Sequence, residues 1–320
     1  MVQFGQTTVG REVVAAFPEN VKDKTFLITG PSPNGMGSAT ACALATESPH
    51  TLILLARSKA KYQSVIDKIH EINAAVNVKF IETDLASLAS VRKAAETILA
   101  DKDITTIDAI FNNAGVITNE LDHTPEGFES QFVINHLSHF LLTNMLMPRL
   151  LTSTMPRVVN ISSLGHKYSE PTFEDPHYRN DDKYNPADAY AQSKGAQILF
   201  SVALNKRFGS KGLRSFAVQP GNMDTGLYNH MNAEVLTDMA LKITGLSSEE
   251  AQSSLMKTSE GGCSTGITAA LSPDLPDGVF MDHCQVTKDH EIVRAWAQDP
   301  EKAEMCWKVS EEATGQKFQV

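Results

Sequence analysis

No stretch of the sequence is long and apolar enough for a bilayer-spanning helix, so no membrane span is expected. Cysteine is scarce. The four thiols, Cys42, Cys263, Cys284 and Cys306, are widely and irregularly spaced with no C-x-x-C pair. That excludes a disulfide framework and a zinc ribbon, and it suits reduced, buried thiols. Positive charge is in deficit, with 28 Lys and Arg against 38 Asp and Glu and a formal net charge of −10. Nucleic acid and anionic membranes select basic surfaces, so neither is expected as the main partner. Internal repeats and low-complexity tracts are absent, and the opening MVQFGQTTVGREVVAAF lacks the apolar core of a signal peptide. A soluble, cytoplasmic protein is the expectation.

What is present is an alternation. Short apolar runs, TFLITG (25–30), TLILLAR (51–57), VKFIETDL (78–85), IDAIFNNAG (107–115), RVVNISS (157–163), LRSFAVQPG (213–221) and GVFMDHCQV (278–286), read as strands. Helical patterns lie between them at 38–47, 60–73, 88–100, about 126–147 and 187–208, and a capped helix closes the chain at 299–315. Continuous apolar strands separated by helices specify parallel β–α units with right-handed crossovers. The expected fold class is therefore α/β: one doubly wound Rossmann-type parallel sheet of about seven strands with helices on both faces. Residues 1–24 form an N-terminal extension with a short helix capped by Thr7 or Thr8, and 25–320 form one domain. Two segments break the rhythm, the acidic loop 166–186 and a strandless stretch at 222–262. Both follow strand ends, where such sheets bind ligands.

The first strand leads into TGPSPNGMGSAT. Gly30, Gly35 and Gly37 let backbone approach a pyrophosphate, and the following helix offers free N–H groups to it. Ser32, Asn34 and Met36 in the same turn are further cofactor-binding candidates. Arg57 ends the second strand where an acidic residue would hold an adenosine ribose; an arginine fork suits a 2′-phosphate, which favours NADP(H) over NAD. Asp84 and Leu85 end the third strand and fit the adenine side. Asp84 fits a helix cap equally well.

In AYAQSKGAQILF (189–200), an amphipathic helical stretch, Tyr190 and Lys194 stand at i and i+4 and share one face. A phenol titrates near 10, and a nearby ammonium lowers that value toward neutrality. Lys194 also reaches ribose hydroxyls from this position. Ser163, at the end of the fifth strand, can hold a substrate oxygen beside Tyr190. Asn135 lies inside a long helix, where asparagine is a poor former; its presence makes sense if it disturbs the helix locally and holds a water linked to Lys194.

Taken together, TGPSPNGMG, DLASLASVR, NNAG (112–115), FVINHLSHF, VVNISS, YAQSK and PGNMDT (220–225) resemble the short-chain dehydrogenase/reductase family, and NHLSHFLLT its retinol-dehydrogenase-like branch. The resemblance runs from residue 24 onward. It implies a catalytic tetrad of Asn135, Ser163, Tyr190 and Lys194. It implies that Asn113, Ala114 and Gly115 line the adenosine side, with Asn112 bracing the central strand, and that Pro220, Gly221 and Thr225 meet the nicotinamide. The implied activity is NADP(H)-dependent interconversion of a carbonyl and an alcohol by hydride transfer, with Tyr190 as general acid/base. Homodimers and tetramers are common in that family. The turn departs from T-G-x-x-x-G-x-G: four residues rather than three separate Gly30 from Gly35, two of them prolines, and none is basic.

His136 and His139, one helical turn apart, suit packing and hydrogen bonding better than a metal. His166 and Tyr168 fit the pocket or a surface loop equally. The Met-rich 228–243 suits an apolar lid, a core helix or a subunit contact, and a lid implies a small lipophilic substrate. Two rivals remain: a catalytically silent NADP(H) sensor or scaffold, and an epimerase or dehydratase. The second wants glycine at position 33, which is Pro33.

Overall fold

A computed structural model describes residues 3–179, 184–223, 231–246 and 256–319. Its strands are β1 (Thr25–Thr29), β2 (Thr51–Ala56), β3 (Asn77–Glu82), β4 (Ala109–Asn112), β5 (Arg157–Ile161), β6 (Arg214–Gln219), β7 (Phe280–Asp282) and β8 (Gln285–Thr287). They form one sheet of order β3-β2-β1-β4-β5-β6-β7-β8, parallel through β7. β1, β2, β4 and β5 are buried along their whole length, as a sheet covered on both faces requires. The last expected strand, 278–286, is instead a hairpin. His283 and Cys284 both adopt positive φ (46° and 64°), so the chain reverses in two residues and β8 returns antiparallel along β7. That turn adds an eighth strand to the expected seven.

The helices are α1 (Gly10–Ala16), α2 (Met36–Ala45), α3 (Lys59–Ile72), α4 (Leu88–Ala100), α5 (130–150), α6 (Pro186–Phe208), α7 (Ala233–Thr244), α8 (Ser259–Leu271) and α9 (Pro300–Thr314). One face of the sheet is covered by α4, α5, α6 and α9, the other by α1, α2, α3 and α8. Phe4, Val13, Val14 and Val21 of the first 24 residues are buried with Phe26 and Leu44 in the second layer. Neither threonine caps α1: Val9 holds the N-cap position, and the Glu12 carboxylate accepts its N–H at 3.0 Å. α6 is not amphipathic as expected. Gln192, Ser193, Lys194, Gln197 and Ser201 are buried along with its apolar residues, because the sheet, α5 and α9 enclose it. Among the described residues no helix is long and apolar enough to cross a membrane.

The strand order reverses between β1 and β4, so the crossovers on either side run to opposite faces and leave a crevice at the carboxyl ends of these strands.

Candidate active site

The crevice holds a cavity of about 1080 Å³. One end of it is built by the β1–α2 turn. Gly30 sits at φ +64° with its Cα against Ala114, and a Cβ there would lie 2.8 Å from that residue's own. Gly37 packs against the Gly30 carbonyl, where an added Cβ would stand 2.6 Å away. α2 has no side-chain cap at its N-terminus, so its first N–H groups are left for an anion. The lengthened turn is accommodated by Asn34 at φ +61°, a conformation asparagine tolerates. Ser32, Gly35 and Met36 line the cavity, and Arg57 and Tyr62 stand at its rim. These residues fit a dinucleotide phosphate: glycine backbone, a free helix terminus and a guanidinium.

Asp84 and Leu85 line the same wall. Asp84 does not cap α4; Ser87 does, accepting from Ser90 N at 3.3 Å, while the Asp84 carboxylate accepts from Ala86 N. Asn113 donates to the Thr29 and Gly30 carbonyls at 2.8 and 3.0 Å, which fixes the loop that brings Ala114 and Gly115 to the cavity. Asn112 is fully buried and bonds Asn160 and Thr143, bracing β4 against β5 and α5.

Ser163, Tyr190 and Lys194 are all on the cavity wall. Ser163 caps a short 3₁₀ turn, Leu164–Lys167, by accepting from Gly165 N at 3.0 Å. Gly165 leaves room for the phenol ring. A Cβ there would be 2.8 Å from Tyr190 Cε1 and 3.2 Å from Ser163 Oγ, so hydroxyl and ring flank one point. Lys194 is 3% exposed; its Nζ donates to the Ile161 carbonyl at 2.8 Å and stands 5.7 Å from the centre of the Tyr190 ring. Burial alone pulls the Lys194 ammonium down to about 7.

Asn135 lies within a π-turn, Val133–Leu137, that interrupts α5. Its amide clamps both backbone atoms of Val116, accepting from N at 2.8 Å and donating to O at 2.9 Å, and it also donates to Ser193. A Cβ on Gly115 would be 3.2 Å from Lys194 Nζ and 3.3 Å from Asn135 Oδ1, so both groups face one glycine.

Pro220 and Gly221 line the cavity. Thr225 lies outside the described residues, as do 180–183 of the acidic loop and 224–230 and 247–255 of the strandless stretch 222–262. Asn34, Gly37 and Asn135 do not line the cavity; Asn34 is exposed, whereas Gly37 and Asn135 are buried. His166 does not face the pocket: its ring is buried between Ser163 O and Arg294 N, and burial pushes it down to about 4. Tyr168 reaches α7, donating to Asp238, with Lys242 4.1 Å above its ring.

The stretch 228–243, read from sequence as an apolar lid, a core helix or a subunit contact, supplies residues to the cavity wall, and Ile117 is the wall residue that reading did not single out. Leu236, Met239, Ala240 and Ile243 of α7 face the cavity, and Ile117 joins Met239 and Tyr190 in one apolar cluster. The i, i+3, i+4, i+7 spacing within 233–244 carried that signal.

The short chain dehydrogenase family model matches residues 24–236. A short-chain dehydrogenase/reductase of Penicillium roqueforti is 36% identical over 305 residues, 91% of this chain and 85% of that one. Retinol dehydrogenase 14 of Mus musculus is 32% identical over 310 residues, covering 93% and 88%. A solved protein of Mycobacterium paratuberculosis shares 30% identity at a TM-score of 0.71, covering 96% and 98%. A Sphingobium yanoikuyae short-chain dehydrogenase solved with NADPH shares the fold at 22% identity and a TM-score of 0.55, covering 75% and 81%. With the family's motifs gathered at one sheet edge and curated relatives matching up to 93% of its length, the chain belongs to the short-chain dehydrogenase/reductase family of oxidoreductases, in its retinol-dehydrogenase-like branch.

Proposed function

We propose that the protein is an NADP(H)-dependent oxidoreductase that interconverts a carbonyl and an alcohol on a small lipophilic substrate, with Tyr190 as the general acid/base. The observation that carries this reading is one continuous cavity, with Ser163, Tyr190 and Lys194 at one end and the glycine turn and Arg57 at the other. Bound along that length, a nicotinamide dinucleotide supplies or takes up hydride.

Ser163 Oγ holds the substrate oxygen over the face that Gly165 leaves open. In reduction the Tyr190 phenol gives its proton to that oxygen; in oxidation the phenolate takes it back. A protonated Lys194 favours the phenolate. With a pKa near neutrality, Lys194 also takes and returns protons at working pH. A water linked to Lys194 and held by Asn135 extends the relay in this reading, since Lys194 Nζ and the Asn135 amide both approach Gly115. The tetrad thus has a division of labour: Ser163 orients, Tyr190 transfers, Lys194 and Asn135 resupply.

Arg57 supports NADP(H) over NAD. The residue before it is Ala56, and its exposed guanidinium lines the cavity without a hydrogen-bond or ion-pair partner among the described residues, which suits a two-pronged pairing with a phosphate. The apolar face of α7 supports a lipophilic substrate: Leu236, Met239, Ala240 and Ile243 offer no polar group to an incoming ligand.

The test is a panel of ketones, aldehydes and alcohols followed by NADPH absorbance, with NADH in parallel, on wild type and Tyr190→Phe. Turnover lost by at least about 100-fold with NADPH Kd within about threefold supports the assignment. Retained turnover refutes it, and tight binding without turnover by the wild type favours the silent sensor.

A further inference from the structure

His136 and His139 are both fully buried, but they serve different ends. His136 bonds Ser310 of α9 at 2.8 Å, away from the cavity. His139 contacts Thr29 and the backbone of the π-turn instead. Thr29, the last residue of β1, accepts the backbone N–H groups of Asn113 and Ala114 on its hydroxyl at 2.9 and 3.0 Å. The same hydroxyl lies 2.9 Å from His139 Nε2, and His139 Nδ1 lies 3.0 Å from the Asn135 carbonyl.

Those contacts settle where the protons are. A carbonyl only accepts, so Nδ1 carries the hydrogen. Nε2 is then bare. Thr29 Oγ already receives two N–H groups, so its own hydrogen points to Nε2 at 2.9 Å in preference to the Phe111 carbonyl at 3.4 Å. The chain has one direction: loop 113–115 to Thr29, Thr29 to imidazole, imidazole to Asn135. Burial, reinforced by the Lys194 charge, holds the ring near pKa 4 and hence neutral at working pH.

The Asn135 carbonyl takes a second donor, the Gln197 amide, from the turn of α6 that follows Lys194. The imidazole therefore joins three parts of the cleft: the end of β1 before the phosphate turn, the loop that carries Gly115, and the π-turn whose Asn135 amide holds Val116.

We propose that His139 is a positioning residue for the proton relay: Nδ1–H fixes the carbonyl of the π-turn, Nε2 fixes Thr29, and together they hold Asn135 at one distance from loop 113–115. The inference rests on the relay reading above. His139→Leu removes both anchors, whereas His139→Asn keeps an amide N–H where Nδ1–H stands.

Kinetics on protein shown to be folded should give a kcat about tenfold or more lower in His139→Leu, with KM for NADPH within about threefold. His139→Asn should restore most of kcat, and His136→Leu should lower stability without lowering kcat. A His139→Leu kcat at the wild-type level overturns the proposal, as does equal loss in kcat and in NADPH binding. Should His139→Leu fail to fold, ¹⁵N NMR of the wild-type imidazole decides: a neutral Nδ1–H tautomer persisting to pH 5 supports the wiring. An Nε2–H tautomer, or titration near the ordinary value, overturns it. Wild type without turnover, or an active Tyr190→Phe, refutes the relay reading, and the NMR result then stands alone for His139.

Discussion

Replacing Lys194 by Met should make the nucleotide-free protein more stable at neutral pH while abolishing its chemistry. Lys194 is enclosed, and burial drops its pKa from 10.5 to about 7. A depressed lysine pKa means the folded state resists the proton that the unfolded chain keeps. Below pH 7 the full penalty is present; between 7 and 10.5 the unfolded chain binds more protons, so stability from this group rises with pH. The shift corresponds to about 4 kcal/mol of penalty at pH 7. Met removes it but strands the Ile161 carbonyl, which now receives Nζ at 2.8 Å, at a cost of about 1–3 kcal/mol. The expected net gain is about 1–3 kcal/mol at pH 7, shrinking and then reversing by pH 10. Urea unfolding of both proteins from pH 6 to 10, without added nucleotide, reads the difference directly. A Lys194→Met protein that is less stable by the same amount at every pH refutes the reasoning, because the missing charge would then have cost nothing.

Further outcomes are expected from other parts of the cleft. Arg57→Ala should weaken NADPH about 10- to 100-fold by loss of a charge-assisted pair, with NADH affinity little changed; equal losses for both, measured by titration calorimetry, would speak against the 2′-phosphate role. Gly37→Ala pushes a methyl to 2.6 Å from the Gly30 carbonyl, so about 1–3 kcal/mol of stability should be lost along with NADPH affinity; an unchanged melting temperature contradicts the packing described. Tyr168→Phe cuts the bond to Asp238 on α7 and should raise substrate KM several-fold with little change in melting temperature. No change in KM for any active substrate would remove α7 from substrate binding.

A parallel doubly wound sheet and the positions of Ser163, Tyr190 and Lys194 at its carboxyl edge were legible in the chain, and the family branch followed from the resemblance of its motifs. Each depends on local pattern: apolar runs make buried strands, and the i, i+4 spacing of Tyr190 and Lys194 puts them on one helix face. The eighth strand was not legible, because two residues at positive φ in DHCQ carry no glycine to advertise a hairpin. The burial of α6 was not legible either. Its polar residues look like a solvated face, yet groups outside the helix meet them: the Thr172 N–H donates to Gln192, the Asn135 amide donates to Ser193, and Gln197 donates to the Asn135 carbonyl.

Sequence by itself determined which side chains exist to do chemistry and in what order along the chain they arrive at the sheet edge. It marked Asn135 as a misfit in its helix. Tertiary structure alone decided what that misfit accomplishes: a π-turn presents the Asn135 carbonyl to His139 and Gln197, and its amide to Val116. The reason is physical. A helix pattern is a property of neighbours three and four residues apart, whereas a hydrogen bond from residue 29 to 139 or from 197 to 135 exists only when separate elements have packed. The depressed Lys194 pKa has the same origin, since desolvation depends on everything around a charge and on nothing adjacent to it in sequence.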